Sequence, residues 1–267
     1  MVVYAAQGDP RRSMALLWRT ESPDVERPGP KPGLSVELIV ETAVEIADAD
    51  GMAGLSMRAV GDRLGRTAMA LYTYVPSKSE LLDLMYDKAL AELSASYDGE
   101  DWRADTARWA EDLWAFYLRH PWVLQVSQAR PVLGPNEYVV LEALVKILRR
   151  TGLRPAVLRR LVSALYSCVR EPARTASESR QAEKVTGQSD DEWWYARSGY
   201  LREVSPDFAE RFPTLTWMEG EHAFRMEDET VSYLEQEARE AFELSLSVLL
   251  DGIEVAMKAE YPSPHAQ

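Results

Sequence analysis

The 267-residue chain is 46% hydrophobic and 27% charged and carries a formal net charge of −13. No apolar run approaches the roughly 20 residues of a membrane-spanning helix, and the short apolar runs near the N-terminus cannot form a signal-peptide core. We therefore expect a soluble, cytoplasmic protein with no membrane partner. The single cysteine, Cys168, excludes an internal disulfide, and the three histidines lack the spacing of zinc ligands, so neither a metal site nor a cofactor is predicted.

The charge is distributed unevenly along the chain. Residues 56–78 hold four basic side chains and one acidic one, whereas residues 34–55 hold five acidic side chains and no basic one. A short basic stretch within an acidic chain is typical of a compact nucleic-acid contact beside a domain with another role.

Residues 1–33 contain five prolines and show no sustained helical periodicity. This composition predicts a flexible N-terminal arm. A sharper alternative is that one basic side chain of the arm enters a DNA minor groove, as homeodomain arms do. The candidates for this contact are Arg11, Arg12, Arg19, Arg27 and Lys31.

Residues 34–80 are predicted to form a three-helix domain. Its helices are separated by residues that favour helix starts or turns. In chain order these residues are Ser35, Gly51, Ser56 and Gly65. The third helix is predicted over Ala68 to Tyr74, and Ser77 with Glu80 matches a capping box that opens the next helix.

Residues 81–260 are predicted to form a larger domain of amphipathic helices. Apolar residues recur at helical spacing from Asp101 to Arg119 and from Asn136 to Arg150. The last and longest helix is predicted from about Met218 to Ala259, and residues 261–267 form a tail. Since no segment shows the alternation typical of a strand, the predicted fold class is all-α.

Two short helices joined by a glycine turn, within residues 55–78, match a helix-turn-helix whose second helix fits the DNA major groove. Ala68, Met69 and Ala70 are small or apolar and suit contacts with base edges and thymine methyl groups. Tyrosine hydroxyls and basic side chains suit phosphates. The candidates for these polar contacts are Tyr72, Tyr74, Arg58, Arg66 and Lys78.

The run Leu71-Tyr72-Thr73-Tyr74-Val75, followed by Pro76-Ser77-Lys78, resembles the DNA-binding domain of the tetracycline-repressor (TetR) family, and the resemblance extends over residues 34–95. It implies operator contacts from this region. With the neighbouring candidates, the predicted DNA-binding set is Ser56, Arg58, Arg66, Thr67, Ala68, Met69, Ala70, Tyr72, Thr73, Tyr74 and Lys78. Residues 68–70 depart from the family pattern by offering no bidentate amide or guanidinium. We therefore expect base readout to rest on methyl contacts and DNA shape, with Arg58 or Arg66 adding polar discrimination.

Residues 114–122 and 130–136 resemble, more loosely, the ligand-binding domain of the subgroup nearest the tetracycline repressors. This resemblance implies a homodimer formed through a four-helix bundle and a small-molecule pocket in each subunit. Many aromatic side chains and few polar ones suit a flat hydrophobic ligand, such as an aromatic natural product. The candidate ligand-binding residues are Trp114, Tyr117, His120, Trp122, Arg130, Asn136, Tyr166, Arg170, Trp193 and Trp194.

The expected function is that of a ligand-responsive transcriptional repressor that binds a pseudopalindromic operator as a homodimer and is released by a small hydrophobic or aromatic molecule. One helix-turn-helix contacts one half-site, so two half-sites require a two-fold partner. The resemblance further implies a role in antibiotic resistance or biosynthesis. One alternative is a DNA-binding regulator whose helical domain binds a protein partner. A helical enzyme is the other, but His120, Glu137 and Cys168 lie on different predicted helices without a catalytic motif.

Overall fold

The computed structural model describes residues 3–20, 33–225 and 231–259, except for the side chain of Arg202. In chain order the helices are α1 (Pro10–Trp18), α2 (Val36–Gly54), α3 (Met57–Leu64), α4 (Ala68–Tyr72), α5 (Lys78–Leu90), α6 (Trp102–Arg119), the 3₁₀ helix η1 (Pro121–Gln125), α7 (Pro135–Arg149), α8 (Pro155–Thr186), α9 (Asp190–Val204), α10 (Phe208–Arg211), α11 (Pro213–Gly220) and α12 (Tyr233–Lys258). Within these described ranges the only β-type pairing is an isolated bridge between Val3 and Val126. The all-α prediction is confirmed.

Across the described ranges, no helix combines the length and the apolar character that crossing a membrane requires. The chain divides into two compact units. One comprises Met1–Arg170 with Leu249–Gln267, and the other comprises Glu171–Val248. The predicted helix-turn-helix lies in the first unit.

Helix α5 occupies a central place in the first unit. It packs against α1, α2 and α7, while α2 also packs against α3 and η1. Leu81 and Met85 of α5 are fully buried, as are Ile39 and Ala43 of α2. These residues recur at the helical spacing of three or four, which places them on one face of each helix. The domain boundary predicted between residues 80 and 81 therefore falls inside a single helix.

Within residues 1–33, predicted as a flexible arm, the part that the structure describes contains a helix. Pro10–Trp18 is a helix, and the Asp9 side chain caps it by accepting the Arg12 N–H at 3.0 Å. Proline occupies the first helical position, where its missing N–H is not needed. Arg19 ends the helix in the left-handed conformation, with φ 51°. Arg27 and Lys31, two of the proposed minor-groove residues, lie outside the described residues.

The last helix begins later than the sequence indicated. Instead of one helix from Met218, α11 ends at Gly220, and His222 has a left-handed backbone with φ 61°. Helix α12 then begins at Tyr233, where the Ser232 hydroxyl accepts the Glu235 N–H at 3.3 Å. A serine cap of this kind marks the start of a helix. The apolar periodicity continues across it, so the periodicity alone predicted a longer helix.

Candidate nucleic-acid interface and cavity

The turn between α3 and α4 depends on two glycines. Gly65 ends α3 with φ 65° and ψ 35°, a conformation that favours glycine, and the Arg66 N–H then donates to the Gly61 carbonyl at 2.8 Å. A Cβ on Gly61 would lie 2.7 Å from the Arg66 carbonyl oxygen and 3.3 Å from the Ala68 nitrogen. Gly61 therefore permits the close approach of α3 to the turn. The turn at Gly65 was predicted from the sequence, whereas the requirement for glycine at position 61 was not.

Helix α4 is shorter than predicted, because it ends at Tyr72 rather than Tyr74. Pro76 disfavours helical backbone at the preceding residue. Thr67 caps the start of α4, and Leu71 and Val75 are fully buried beneath it. These two apolar anchors fix α4 on the domain with its opposite side outward.

The predicted DNA-binding residues lie at the surface of this domain. Eight of them are exposed: Ser56, Arg58, Arg66, Thr67, Met69, Tyr72, Thr73 and Lys78. Ala68, Ala70 and Tyr74 are half-buried. Met69 is 75% exposed at the centre of α4, which is unusual for a large apolar side chain. The Arg58 side chain is 88% exposed, and its Nε lies 3.7 Å from the Asp62 carboxylate. Because an exposed ion pair of this length is weak, it leaves Arg58 free to bind a phosphate.

Lys78 has a structural partner that the sequence did not reveal. Its Nζ donates to the Leu55 carbonyl at 2.7 Å. Leu55 immediately precedes Ser56, whose hydroxyl caps α3 by accepting the Ala59 N–H at 3.0 Å. The first residue of α5 is thereby joined to the start of the helix-turn-helix.

The predicted capping box at the start of α5 is only half formed. The Ser77 hydroxyl accepts the Ser79 N–H at 3.0 Å, as a cap should. The Glu80 carboxylate instead accepts the Ser77 hydroxyl and the Asp9 N–H, the latter at 3.2 Å. Glu80 is therefore committed to the N-terminal part of the chain.

Two residues predicted to bind a ligand, His120 and Trp122, hold the end of α2 instead. His120 Nδ1 and Trp122 Nε1 each lie 2.8 Å from Asp48 Oδ1, and His120 Nε2 lies 3.2 Å from Glu92 Oε2. Burial disfavours the charged imidazolium, but the bonds and charges of the two carboxylates outweigh it and raise the pKa of His120. Neither ring lines the cavity described next.

The first unit contains a cavity of about 440 Å³. The sequence-predicted residues Tyr117, Tyr166 and Arg130 lie on its lining. Tyr86 of α5 and Glu137 of α7 line it as well, although neither was predicted to bind ligand. Tyr86 and Glu137 reach the cavity through contacts between segments that are far apart in the sequence, so no local pattern predicts their position. An apolar cavity with a few converging polar groups is the usual form of a small-molecule site.

The tyrosine phenols of the cavity are held in their neutral forms. Burial raises the pKa of the Tyr86 and Tyr166 phenols well above their ordinary values, and that of Tyr117 in the same direction. Burial also raises the pKa of Glu137, aided by the charge of Asp87. Neutral phenols can both donate and accept hydrogen bonds, so the cavity suits a ligand with oxygen substituents.

Arg170 and Asn136 support the cavity from behind and do not line it. Arg170 Nη2 donates to the Leu124 and Val126 carbonyls at 2.7 and 2.8 Å, and its guanidinium lies 5.8 Å from the Tyr117 ring centre. The Asn136 side chain donates to Asp87 of α5 at 2.9 Å, at the start of α7. Both side chains thus fix the backbone around the site.

The three remaining predicted ligand residues lie elsewhere. Trp114 is buried on α6 but does not line the cavity. Trp193 and Trp194 belong to α9 in the second unit, where they are 47% and 60% exposed. Their role in ligand binding stays a prediction, because an aromatic run in sequence carries no information about which unit it joins.

Comparison with known proteins matches two family models to successive parts of the chain. Residues 39–85 match the family model for bacterial regulatory proteins of the tetR family, and residues 96–257 match the tetracyclin repressor-like C-terminal domain. The HTH-type transcriptional repressor DrrR1 of Streptomyces coeruleorubidus is 41% identical over 204 residues, covering 75% of this chain and 74% of the relative.

Solved structures give the same result. The Streptomyces coelicolor TetR family protein ActR, in complex with actinorhodin, has a TM-score of 0.65 and 27% identity, covering 84% of this chain and 98% of ActR. ActR in complex with (S)-DNPA has a TM-score of 0.64 and 25% identity, covering 84% of this chain and 99% of ActR. The chain thus belongs to the TetR family and is a transcriptional repressor, not an enzyme.

Proposed function

We propose that the protein represses transcription as a homodimer on a pseudopalindromic operator and that a flat, oxygen-substituted aromatic molecule releases it. The observation that carries this proposal is the position of α5. Its first residue, Lys78, is bonded to Leu55 at the start of the helix-turn-helix, and Tyr86 and Leu90 further along the same helix line the cavity. A ligand that displaces Tyr86 would therefore act on an element that also holds α3.

In the proposed complex, α4 enters the major groove. Met69 and its alanine neighbours face base edges, and Tyr72 and Arg58 reach phosphates on either side. The proposed DNA contacts are those predicted from the sequence. Lys78 contributes mainly by its hydrogen bond to the Leu55 carbonyl, which holds the start of α3. Eight of these eleven side chains are exposed, which supports the arrangement.

Helix α12 supports the homodimer. Leu244, Val248 and Val255 are 68%, 63% and 64% exposed, and their spacing of four and seven residues places them on one face of this helix. A two-fold interface between copies would bury this apolar stripe against its equivalent. Dimerisation would bring two copies of α4 to successive half-sites.

The ligand class follows from the cavity lining and from ActR. Three neutral phenols and the Glu137 carboxyl can pair with hydroxyl or carbonyl groups around an aromatic core. ActR binds actinorhodin. A cavity of about 440 Å³ favours a small molecule over the alternative protein partner. Release requires that the ligand prefer the non-binding state, with a coupling of about 1–3 kcal/mol.

In vitro selection with the full-length chain tests the DNA part. Random duplexes should yield a two-fold symmetric site with half-sites about one helical turn apart. A double variant, Arg58→Ala with Tyr72→Ala, should enrich nothing. Failure of the wild type to enrich any sequence, or enrichment of one unpaired half-site, would refute the proposal.

Light scattering tests the dimer. Val248→Glu places a charge in the apolar stripe of α12 and should convert the dimer to a monomer. Thr214→Glu, at an exposed position of α11, is the matched control and should leave the mass unchanged. A wild-type monomer, or a Val248→Glu dimer, would contradict this interface.

A further inference from the structure

The segment of residues 3–20, called the N-terminal segment below, is docked along the first unit. Its side chains Ala5 and Leu17 are only 1% and 6% exposed. The Val3 N–H donates to the Gln125 carbonyl at 2.9 Å, and the Val3 carbonyl accepts the Ser127 N–H at 2.8 Å. Ser127 lines the cavity. An isolated β-bridge thus joins Val3 to the segment that carries Val126 and Ser127 in the cavity wall.

Trp18 holds a second, strained part of the same wall. Leu133, which lines the cavity, has a left-handed backbone with φ 63°, a conformation that costs a bulky residue free energy. Two bonds hold it there. The Leu133 N–H donates to Glu137 Oε2 at 2.6 Å, and its carbonyl accepts the Trp18 indole N–H at 2.9 Å. The Trp18 ring also lies 6.1 Å from Tyr138, another lining residue.

The other contacts of the N-terminal segment are with α5. The Ala6 N–H donates to Asp83 Oδ1 at 2.7 Å, and the Asp9 N–H donates to Glu80 Oε1 at 3.2 Å. Asp83 and Glu80 are 1% and 4% exposed. Gly8 lies so close that an added Cβ would overlap the Glu80 carboxylate. The segment therefore binds the first turns of the helix that carries Lys78.

We propose that the N-terminal segment is a mechanical link between the cavity and α5, with Trp18 as a positioning residue for the cavity wall. Trp18 and Val3 connect the N-terminal segment to the cavity wall by hydrogen bonds. Ala6 and Asp9 connect the same segment to α5 by hydrogen bonds. A ligand that relaxes Leu133 loosens Trp18, and this change reaches α5 without passing through Tyr86. The regulatory consequence rests on the proposed function, whereas the link itself is a property of the free protein.

Hydrogen–deuterium exchange of the full-length protein tests the link without any ligand. Trp18→Phe keeps a ring but removes the donor to Leu133. We expect exchange to rise about tenfold in residues 131–138, and also in residues 5–9 and 78–84 at the far end. Asp83→Ala removes the acceptor of the Ala6 N–H and should produce the converse spread, from α5 to the wall.

Trp217→Phe, on α11 of the second unit and 62% exposed, is the matched control and should change neither region. The link is overturned if Trp18→Phe affects residues 131–138 alone, or if Asp83→Ala leaves the wall unchanged. Faster exchange in residues 5–9 and 78–84 of Trp18→Phe would show that the change is transmitted along the segment and is not confined to the site of substitution.

A second measurement addresses regulation. Operator affinity is compared with and without actinorhodin for the wild type, Trp18→Phe, Asp83→Ala and the double variant. Each single variant should reduce the actinorhodin effect several-fold, and the double variant no further, because both break one link. Additive losses would overturn the shared link. A wild type that ignores actinorhodin counts against the proposed function, while the exchange experiment still decides the link.

Discussion

Asp48 Oδ1 lies 2.8 Å from His120 Nδ1, so a carboxylate near the end of α2 is joined to the residue that ends α6. Trp122 Nε1 donates to the same oxygen at 2.8 Å. This junction attaches the helix-turn-helix domain to the helices around the cavity at a point separate from α5. Its strength should therefore influence how the two parts move together.

The junction should make stability depend on pH. The folded-state pKa of His120 is raised, so its contribution is fully present below the ordinary histidine value of about 6.5 and is lost as pH rises through the folded pKa. Urea unfolding from about pH 6 to about pH 9 should show the wild type losing stability with rising pH. His120→Gln should lack this component, and an identical slope in both proteins would contradict it.

Gly61→Ala should damage the helix-turn-helix. The added Cβ would meet the Arg66 carbonyl and the Ala68 nitrogen, which are backbone atoms that cannot turn aside. We expect a loss of about 1–3 kcal/mol in unfolding free energy, together with weaker operator binding. Gly199→Ala is the matched control, because nothing lies within 4 Å of its Cβ and it should stabilise α9 by about 0.5–1 kcal/mol. Equal behaviour of the two variants would refute this role of Gly61.

Arg58→Ala and Lys78→Ala should weaken operator binding in different ways. An exposed Arg58 that meets a phosphate releases about one counterion, so its removal should lower the salt slope of binding by about one. Lys78 is engaged by the Leu55 carbonyl, so its removal should lower affinity with a smaller change in slope. Titrations at several salt concentrations measure both quantities. Equal slopes for the two variants would show that Lys78 contacts phosphate directly.

The helix-turn-helix was predictable because its signals are local. Ser35, Ser56 and Thr67 each cap the helix that follows them, and Gly65 ends α3 in a left-handed turn. Such signals act over a few residues and can be interpreted without knowing the rest of the fold. Gly61 was missed because its need arises from a close approach that no spacing pattern reports.

The cavity was predicted only in part because its chemistry depends on distant pairs. His120 was predicted to bind a ligand, but its imidazole is hydrogen-bonded to Asp48, which lies 72 positions away in the sequence. The N-terminal helix was missed for a similar reason, since the acceptors that hold residues 6 and 9 are Asp83 and Glu80. The amino-acid composition shows that the segment is rich in proline, but it does not show which distant residues accept its hydrogen bonds.

The most direct test of the account is operator affinity in the presence of aromatic ligands. The wild type is compared with Val162→Trp, which fills the cavity, and with Val185→Trp, which adds the same ring at an exposed position of α8. Actinorhodin and a panel of flat, oxygen-substituted aromatic molecules are titrated against the selected operator by fluorescence anisotropy. We predict that at least one weakens the wild type and Val185→Trp about tenfold, whereas Val162→Trp binds operator normally and does not respond. Release of Val162→Trp to the same extent, or no release of the wild type by any of these ligands, would contradict the account.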